Sequence, residues 1–207
     1  MYATLHTLTG VPGPLDEGWA RELAATVRDC GPAAGVVVGR RFAVGEGTLL
    51  ALWPTAADAD RAVAALERHA PASSGRGPCL APGGRYEVTA HRAASAPRGA
   101  ARYLQVTTFP GPRDDAWVAA VKRADEERVW PAVRDVPGVA GGLALQAADG
   151  GRVVIALGET VETFDEVVRR IMTTQLLPWE DPGLLTGPDD VDVQRLLVAD
   201  LPAEVTR

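Results

Sequence analysis

For acid–base, nucleophilic or metal chemistry this chain offers few groups: three histidines, two cysteines and scattered carboxylates. His6 sits in an alternating run from Tyr2 to Leu8, and His91 in another from Arg85 to Arg92. His69 closes an Ala-rich segment. In an extended strand alternate residues share a face, so Tyr2, Thr4, His6 and Leu8 group together, as do Tyr103, Gln105, Thr107 and Phe109, and Glu87, Thr89 and His91. These larger, more polar sets are assigned to a cavity face, with Tyr86, Val88 and Ala90 turned toward helices. If the first strand runs antiparallel to the third and fourth, Tyr2, Trp53 and His91 meet at one end and His6 meets Glu87 at the other. A carboxylate beside an imidazole orients the ring and raises its basicity. His6, with Glu87, or alternatively His91, is then the candidate base for a phenolic or activated C–H proton. Tyr2, Trp53, Tyr103 and Gln105 are the candidate substrate contacts, the aromatic pair forming a wall for a flat molecule.

Each of these residues also has a structural reading. A single His on a half-apolar strand is more often a hydrogen-bonded packing residue than a base, His91 next to Arg92 can be solvated, and Trp53 at a strand end is most often core or an interface anchor. His69 suits the negative end of a helix dipole. Asp125-Glu126-Glu127-Arg128 reads as a solvated helix face. No Cys or His spacing matches a metal site, and neither a GxGxxG turn nor a P-loop occurs, so neither a metal nor a bound cofactor is expected.

The elements that carry these residues come twice. Gly13-Pro14-Leu15-Asp16-Glu17-Gly18-Trp19 matches Gly111-Pro112-Arg113-Asp114-Asp115-Ala116-Trp117, and Val27-Arg28-Asp29 matches Val133-Arg134-Asp135. Thr55–Leu66 aligns with Thr160–Ile171. The offset is 98 residues at the first match, 106 at the second and 105 at the third, so the second copy has the longer first helix. Turn residues, caps and periodicity give strand 2–8, a helix from the Asp16 cap to Asp29, strands at 36–38 and 48–53, a helix from 55 to 69, a loop at 70–84 and strand 85–92. The second copy gives strand 102–109, helix 114–134, strands 139–147 and 152–157, helix 161–174 and strand 191–199. Its last connection, 176–190, is long enough to act as a lid or packing arm. The order β-α-β-β-α-β is the split βαβ, or ferredoxin-like, unit. The expected domains are therefore a repeat over 1–94, a linker over 95–100 and a repeat over 101–207, with an α+β fold. Each unit should leave one sheet face bare, and two such faces are expected to pack together around a cavity.

Composition narrows the function. A net charge of −6 disfavours a polyanionic partner, since nucleic-acid affinity rests on phosphate neutralisation. No apolar run reaches the roughly 18 residues of a membrane span, and no basic segment leads into a hydrophobic run at the N-terminus. Isolated Cys30 and Cys79 fit free thiols in the cytoplasm. Neither nucleic acid nor membrane is expected as a partner. Trp19 and Trp117, matched between the copies, read as packing anchors; the chain is expected to be a monomer or a modest homodimer, and unmatched Trp130 and Trp179 are the candidates for a dimer surface.

Two β-α-β-β-α-β copies, Pro137-Gly138-Val139-Ala140-Gly141 entering a strand, and Leu52-Trp53-Pro54-Thr55 passing from strand to helix resemble the dimeric α/β-barrel superfamily, and within it the antibiotic biosynthesis monooxygenase-like branch. The resemblance covers nearly the whole chain and implies a pseudo-dimeric α/β barrel made by tandem duplication. It also implies a cofactor-independent oxygenase acting on a hydrophobic, aromatic, polyketide-like molecule, with reduced flavin from a separate reductase as a variant. A cyclase or isomerase on the same scaffold is the first alternative, and a non-catalytic binding or assembly protein the second. Haem-degrading relatives use a helix histidine as iron ligand, which would be His69, but the accompanying strand-1 Asn is replaced here by Thr4 or His6.

Overall fold

The computed structural model describes residues 1–12, 18–42, 45–69, 78–81 and 83–202. The Gly13–Glu17 turn with its Asp16 cap, most of the 70–84 loop and the His69 side chain lie outside the described residues. The strands and helices are β1 (Tyr2–Thr9), α1 (Gly18–Asp29), β2 (Gly35–Arg41), β3 (Glu46–Trp53), α2 (Ala56–His69), β4 (Cys79–Leu80) and β5 (Gly84–Ala93), then β6 (Tyr103–Phe109), α3 (Asp115–Ala124), α4 (Trp130–Val133), β7 (Val139–Ala147), β8 (Arg152–Gly158), α5 (Val161–Thr173) and β9 (Asp190–Asp200). The strands and helices follow one another in the order expected from the sequence. The addition is β4, a two-residue strand inside the expected loop, held by pairing of Leu80 with Leu8 and Cys79 with Thr9.

Both second helices begin on a threonine whose hydroxyl accepts a backbone N–H three residues on: Thr55 from Asp58 at 3.1 Å and Thr160 from Thr163 at 3.3 Å. Such caps satisfy one of the orphan donors of a first turn. Asp114 does the same for α3, accepting from the Trp117 N–H at 2.8 Å.

Contacts divide the chain into one unit of Met1–Val88 with Val193–Arg207, and a second of Thr89–Asp192. These limits fall inside β5 and β9, whereas the repeat in the sequence places them at the 95–100 linker. In the first unit β1 is central, antiparallel to β3 (Tyr2 opposite Trp53) and to β5 (Tyr2 opposite Glu87), and β3 pairs with β2 (Val36 opposite Ala51). β9 then runs antiparallel to β2, from Gln194 opposite Arg41 to Asp200 opposite Val36. In the second unit β8 is central, between β6 (Tyr103 opposite Gly158) and β7 (Gly142 opposite Ala156). The Thr89–Ala93 half of β5 flanks β7, where Thr89 Oγ1 donates to the Ala144 carbonyl at 3.2 Å. Gly141, at φ +136°, lets the Arg92 carbonyl approach to where a Cβ would stand 2.4 Å from it.

The first unit's core lies beneath its helices. Trp19, Ala20, Ala24 and Val27 of α1 and Ala59, Ala62 and Leu66 of α2 bury against Leu8, Val36, Val38, Leu49, Ala51 and Trp53. Trp53 is fully buried and its indole N–H donates to Thr4 Oγ1 at 3.1 Å. The face of Tyr2, Thr4, His6 and Leu8 is thus the helix face. The grouping by strand parity holds, but the layer is the reverse of the one expected. Cys30 and Cys79 form no disulfide, and among the described residues no helix is long and apolar enough to cross a membrane.

Candidate functional site

The cavity lies in the second unit and has a volume of about 690 Å³. Its floor is the helix face of the strands, where Gln105, Thr107 and Phe109 of β6 stand beside Arg152, Val154 and Ala156 of β8. Val121, Ala124, Trp130 and Val133 form one wall, and Phe164, Val167, Val168 and Ile171 of α5 another. Leu176, Pro182, Leu185 and Pro188, from the long connection before β9, complete it. That connection does pack as an arm over the cavity.

A single π-helical turn, Asp125–Val129, joins α3 to α4, with the Trp130 N–H reaching five residues back to the Asp125 carbonyl. Insertions of this kind recur at functional sites because they re-aim side chains within a helix. Here Asp125 faces the cavity and Arg128 becomes buried, so of the segment expected to be a solvated face only Glu126 and Glu127 are exposed. The extra residue displaces the buried stripe, which passes from Ala124 and Arg128 to Val133.

Asp125 Oδ2 receives two guanidinium groups, Arg92 Nη1 at 3.1 Å and Arg152 Nη2 at 3.1 Å. Arg152 is 3% exposed. Its burial holds the guanidinium below the ordinary arginine range, and the charge of Asp125 counters that shift. The Arg92 guanidinium also lies over the Trp130 ring, 5.2 Å from its centroid, a cation–π contact. Beside this cluster Arg128 Nε donates to both oxygens of Glu180, at 2.8 and 2.9 Å, and the Leu177 N–H donates to Glu180 Oε2 at 2.6 Å. This pair fastens the arm to the π turn, and the Glu180 side chain has no exposed surface. Outside it, the Trp179 indole N–H donates to Glu127 Oε2 at 3.0 Å, with Arg123 lying over the ring.

Of the residues chosen from the sequence, Gln105 lines the cavity and Tyr103 stands half-buried two residues before it on β6. Tyr2 and Trp53 oppose each other in the core of the first unit, beneath helices rather than on a bare face. His6 does not meet Glu87. The β1–β5 register puts Glu87 opposite Tyr2, four residues away along the strand, and packs the His6 ring against Gly83, where a Cβ would come 2.3 Å from Nδ1. His6 Nδ1 donates to the Ala81 carbonyl at 3.4 Å, its Nε2 is buried without a partner, and burial pushes its pKa down. His91, in the second unit, accepts a hydrogen bond from Arg98 at Nε2, 2.9 Å, and is not among the cavity residues. Trp130 proves to be a cavity residue rather than only a surface one. The residues missed altogether are Arg92, Asp125 and Arg152. Arg152 shares its strand face with Val154 and Ala156, whereas Arg92 shares its face with Ala90, in the set that the sequence turned toward helices, so parity as read from the sequence pointed away from Arg92. Among the described residues no cluster could hold a metal ion.

No family model matches the chain and no curated protein matches it. Solved structures do. An anthrone oxidase-like protein matches at a TM-score of 0.58 with 12% identity, over 96% of this chain and 92% of its own. A candidate monooxygenase from Fusobacterium nucleatum matches at 0.61 with 5% identity, over 99% and 96%. An uncharacterised ferredoxin-fold protein from Listeria monocytogenes, related to antibiotic biosynthesis monooxygenases, matches at 0.50 with 11% identity, over 97% and 95%. The likeness is one of fold. The chain shares the α+β architecture of monooxygenase-like proteins along nearly its whole length, and identities this low carry the architecture without its chemistry.

Proposed function

We propose that the second unit binds a hydrophobic, aromatic small molecule and carries out oxygenase-type chemistry on it. The observation that carries this reading is the 690 Å³ cavity, walled mainly by aliphatic and aromatic side chains with a few convergent polar groups, which is the usual make-up of a small-molecule site. The anthrone oxidase-like neighbour suggests the kind of substrate, a flat ketone whose ring methylene is acidic. In this reading the methylene loses a proton and the resulting carbanion gives electrons to O2. A C–O bond forms, and loss of water from the hydroperoxide leaves a carbonyl. The balance is CH2 plus O2 to C=O plus H2O, with every electron drawn from the substrate. Asp125, the only carboxylate among the cavity residues, is the proton acceptor; His6 and His91, off the wall, are not used.

Anthrone in air-saturated buffer tests this, with oxygen uptake and quinone formation followed above the uncatalysed rate. Asp125→Asn should slow the catalysed reaction by roughly two to four decades, the range for losing general-base catalysis. Binding of anthrone with turnover but no oxygen uptake would transfer the site to the cyclase or isomerase class. Binding with neither would make it a carrier or sensor.

A further inference from the structure

We propose that Arg92, Arg152 and Asp125 form an anion-binding subsite within the cavity, so that the molecule bound there carries an acidic oxygen, either a carboxylate or an ionised phenol or enol. This rests on the reading of the cavity as the substrate site.

The charges do not cancel. Two guanidinium groups converge on one oxygen of one carboxylate. Arg128, the third arginine of the wall, is matched by Glu180. Glu126, the next acid on the π turn, is exposed and acts on Arg152 only through its field. One unit of positive charge is therefore left inside a wall made mainly of Val, Leu, Ile, Phe, Ala and Gly. A buried cation without a full complement of partners is costly, and an anionic ligand oxygen is the group that would complete this set.

The geometry suits the same conclusion. Arg152 starts β8 opposite Phe109 and Gln146, whereas Arg92 lies beside Gly141 toward the other end of the sheet. Their side chains reach inward from two ends and meet under Asp125. Arg92 meets Asp125 through Nη1 and Arg152 through Nη2, and an arginine has five N–H donors in a planar fork. Donors from both thus remain for a ligand oxygen next to Asp125. Trp130 packs against the Arg92 guanidinium, 5.2 Å from the ring centroid, which reduces what must be ordered on binding. Gln105, 8% exposed on the same wall, adds an amide.

The fold itself does not need the charge. Gly47 of the first unit occupies the register position of Arg152, since Gly47 opposes Leu8 as Arg152 opposes Phe109. The first unit buries its helices over that row without any arginine.

Equilibrium binding of three probes decides the matter, read from tryptophan fluorescence or calorimetry at pH 7.5. They are 2-naphthoate, its neutral analogue 2-naphthamide, and 4-nitrophenol, whose ionisation is visible as colour. The acid should bind at least roughly tenfold tighter than the amide, or bound 4-nitrophenol should ionise at lower pH than the free phenol. The first result marks a carboxylate site and the second an aryl-oxide site. Arg152→Met and, separately, Arg92→Met should erase the preference. Asp125→Asn should increase it, because a competing carboxylate is removed; this opposite sign keeps the test decisive if an arginine variant fails to fold. Equal binding of acid and amide with an unshifted nitrophenol would overturn the subsite while sparing the cavity. Failure of all three probes to bind would overturn the cavity reading as well.

Discussion

The two units place the same strand positions beneath their helices and fill them differently. In the first, Trp53, Ala51 and Leu49 of β3 with Val36 and Val38 of β2 close the space completely. By register their counterparts are Gly158, Ala156 and Val154 of β8 with Gly142 and Ala144 of β7. Part of the lost volume returns from the other side. Phe164, which follows its cap at the same distance as Ala59 follows Thr55, lies where a Cβ on Gly158 would come within 3.0 Å. The rest is left as cavity. One architecture thus serves as a packed core when its strands carry large side chains and as a container when they carry small ones. The polar groups follow the same division: the hollow unit holds three arginines on its wall, while the filled unit holds a neutral His6 and a Thr4–Trp53 hydrogen bond.

The contrast can be attacked at its strongest point first. Trp53→Ala should destabilise the protein by about 3–5 kcal/mol, the usual cost of emptying a buried tryptophan site, with 2-naphthoate affinity retained at temperatures where the variant is folded. Urea melts and calorimetry on one preparation check both halves. In the second unit the comparable loss is electrostatic. Arg128→Met leaves Glu180 buried and unpaired and should cost about 3–5 kcal/mol. Combining it with Glu180→Leu should recover most of that in the same urea melts; a double variant no better than the single would place the damage in the arm rather than the charge.

Filling the container is the sharper experiment. Ala156→Trp gives β8 the bulk that the first unit carries on β3. Because the space is open, stability should change by less than the roughly 1–3 kcal/mol typical of overpacking, while probe affinity falls at least tenfold. A large drop in melting temperature with unchanged affinity would show that the cavity does not extend above Ala156.

The smallest effect belongs to His6. Its pKa is lowered by burial in the folded protein, so the unfolded chain takes up its proton first as pH falls. Stability from this residue is complete above the unfolded value of about 6.5 and declines as pH drops toward the lower folded value. One proton sets a limit of about 1.4 kcal/mol per pH unit. His6→Leu should flatten that part of the melting-temperature profile between pH 7 and 5.

Much of the fold was legible because it is written in short-range signals. The cap at Thr55, the helix starts near 114 and 161, the face sets of β1 and β6, and the long arm before β9 all appear in the structure at or within a few residues of their expected places. Parity also sorted Gln105, Thr107 and Phe109 onto one cavity face. What parity lacks is the identity of the layer on either side, and this put Tyr2, Thr4 and Trp53 beneath helices instead of on a bare face. The His6–Glu87 pair failed on register, which depends on where β5 meets β1 and on a loop whose course no local pattern fixes. Asp125 was missed for a different reason. Asp-Glu-Glu-Arg looks solvated on an ideal helix, and only the inserted residue of the π turn brings its first and last members inward.

The course of β9 bears on how the molecule is made. Val38 and its neighbours on β2 wait for Gln194 through Asp200 to supply their outer hydrogen-bonding partner, and Gln194 Nε2 also donates to Thr48 Oγ1 at 2.7 Å. Arg28 near the end of α1 pairs with Asp200 at 2.6 Å. The packed unit, whose residues leave the ribosome first, is therefore finished last, after the hollow one has been synthesised in between. Contacts spanning so much chain are slow to form, and until they do β2 offers an open strand edge of the kind that invites pairing with other molecules. A ribosome-bound chain ending before β9 would expose that edge in a half-built core, and the closing strand acts as the clasp that ends the exposure.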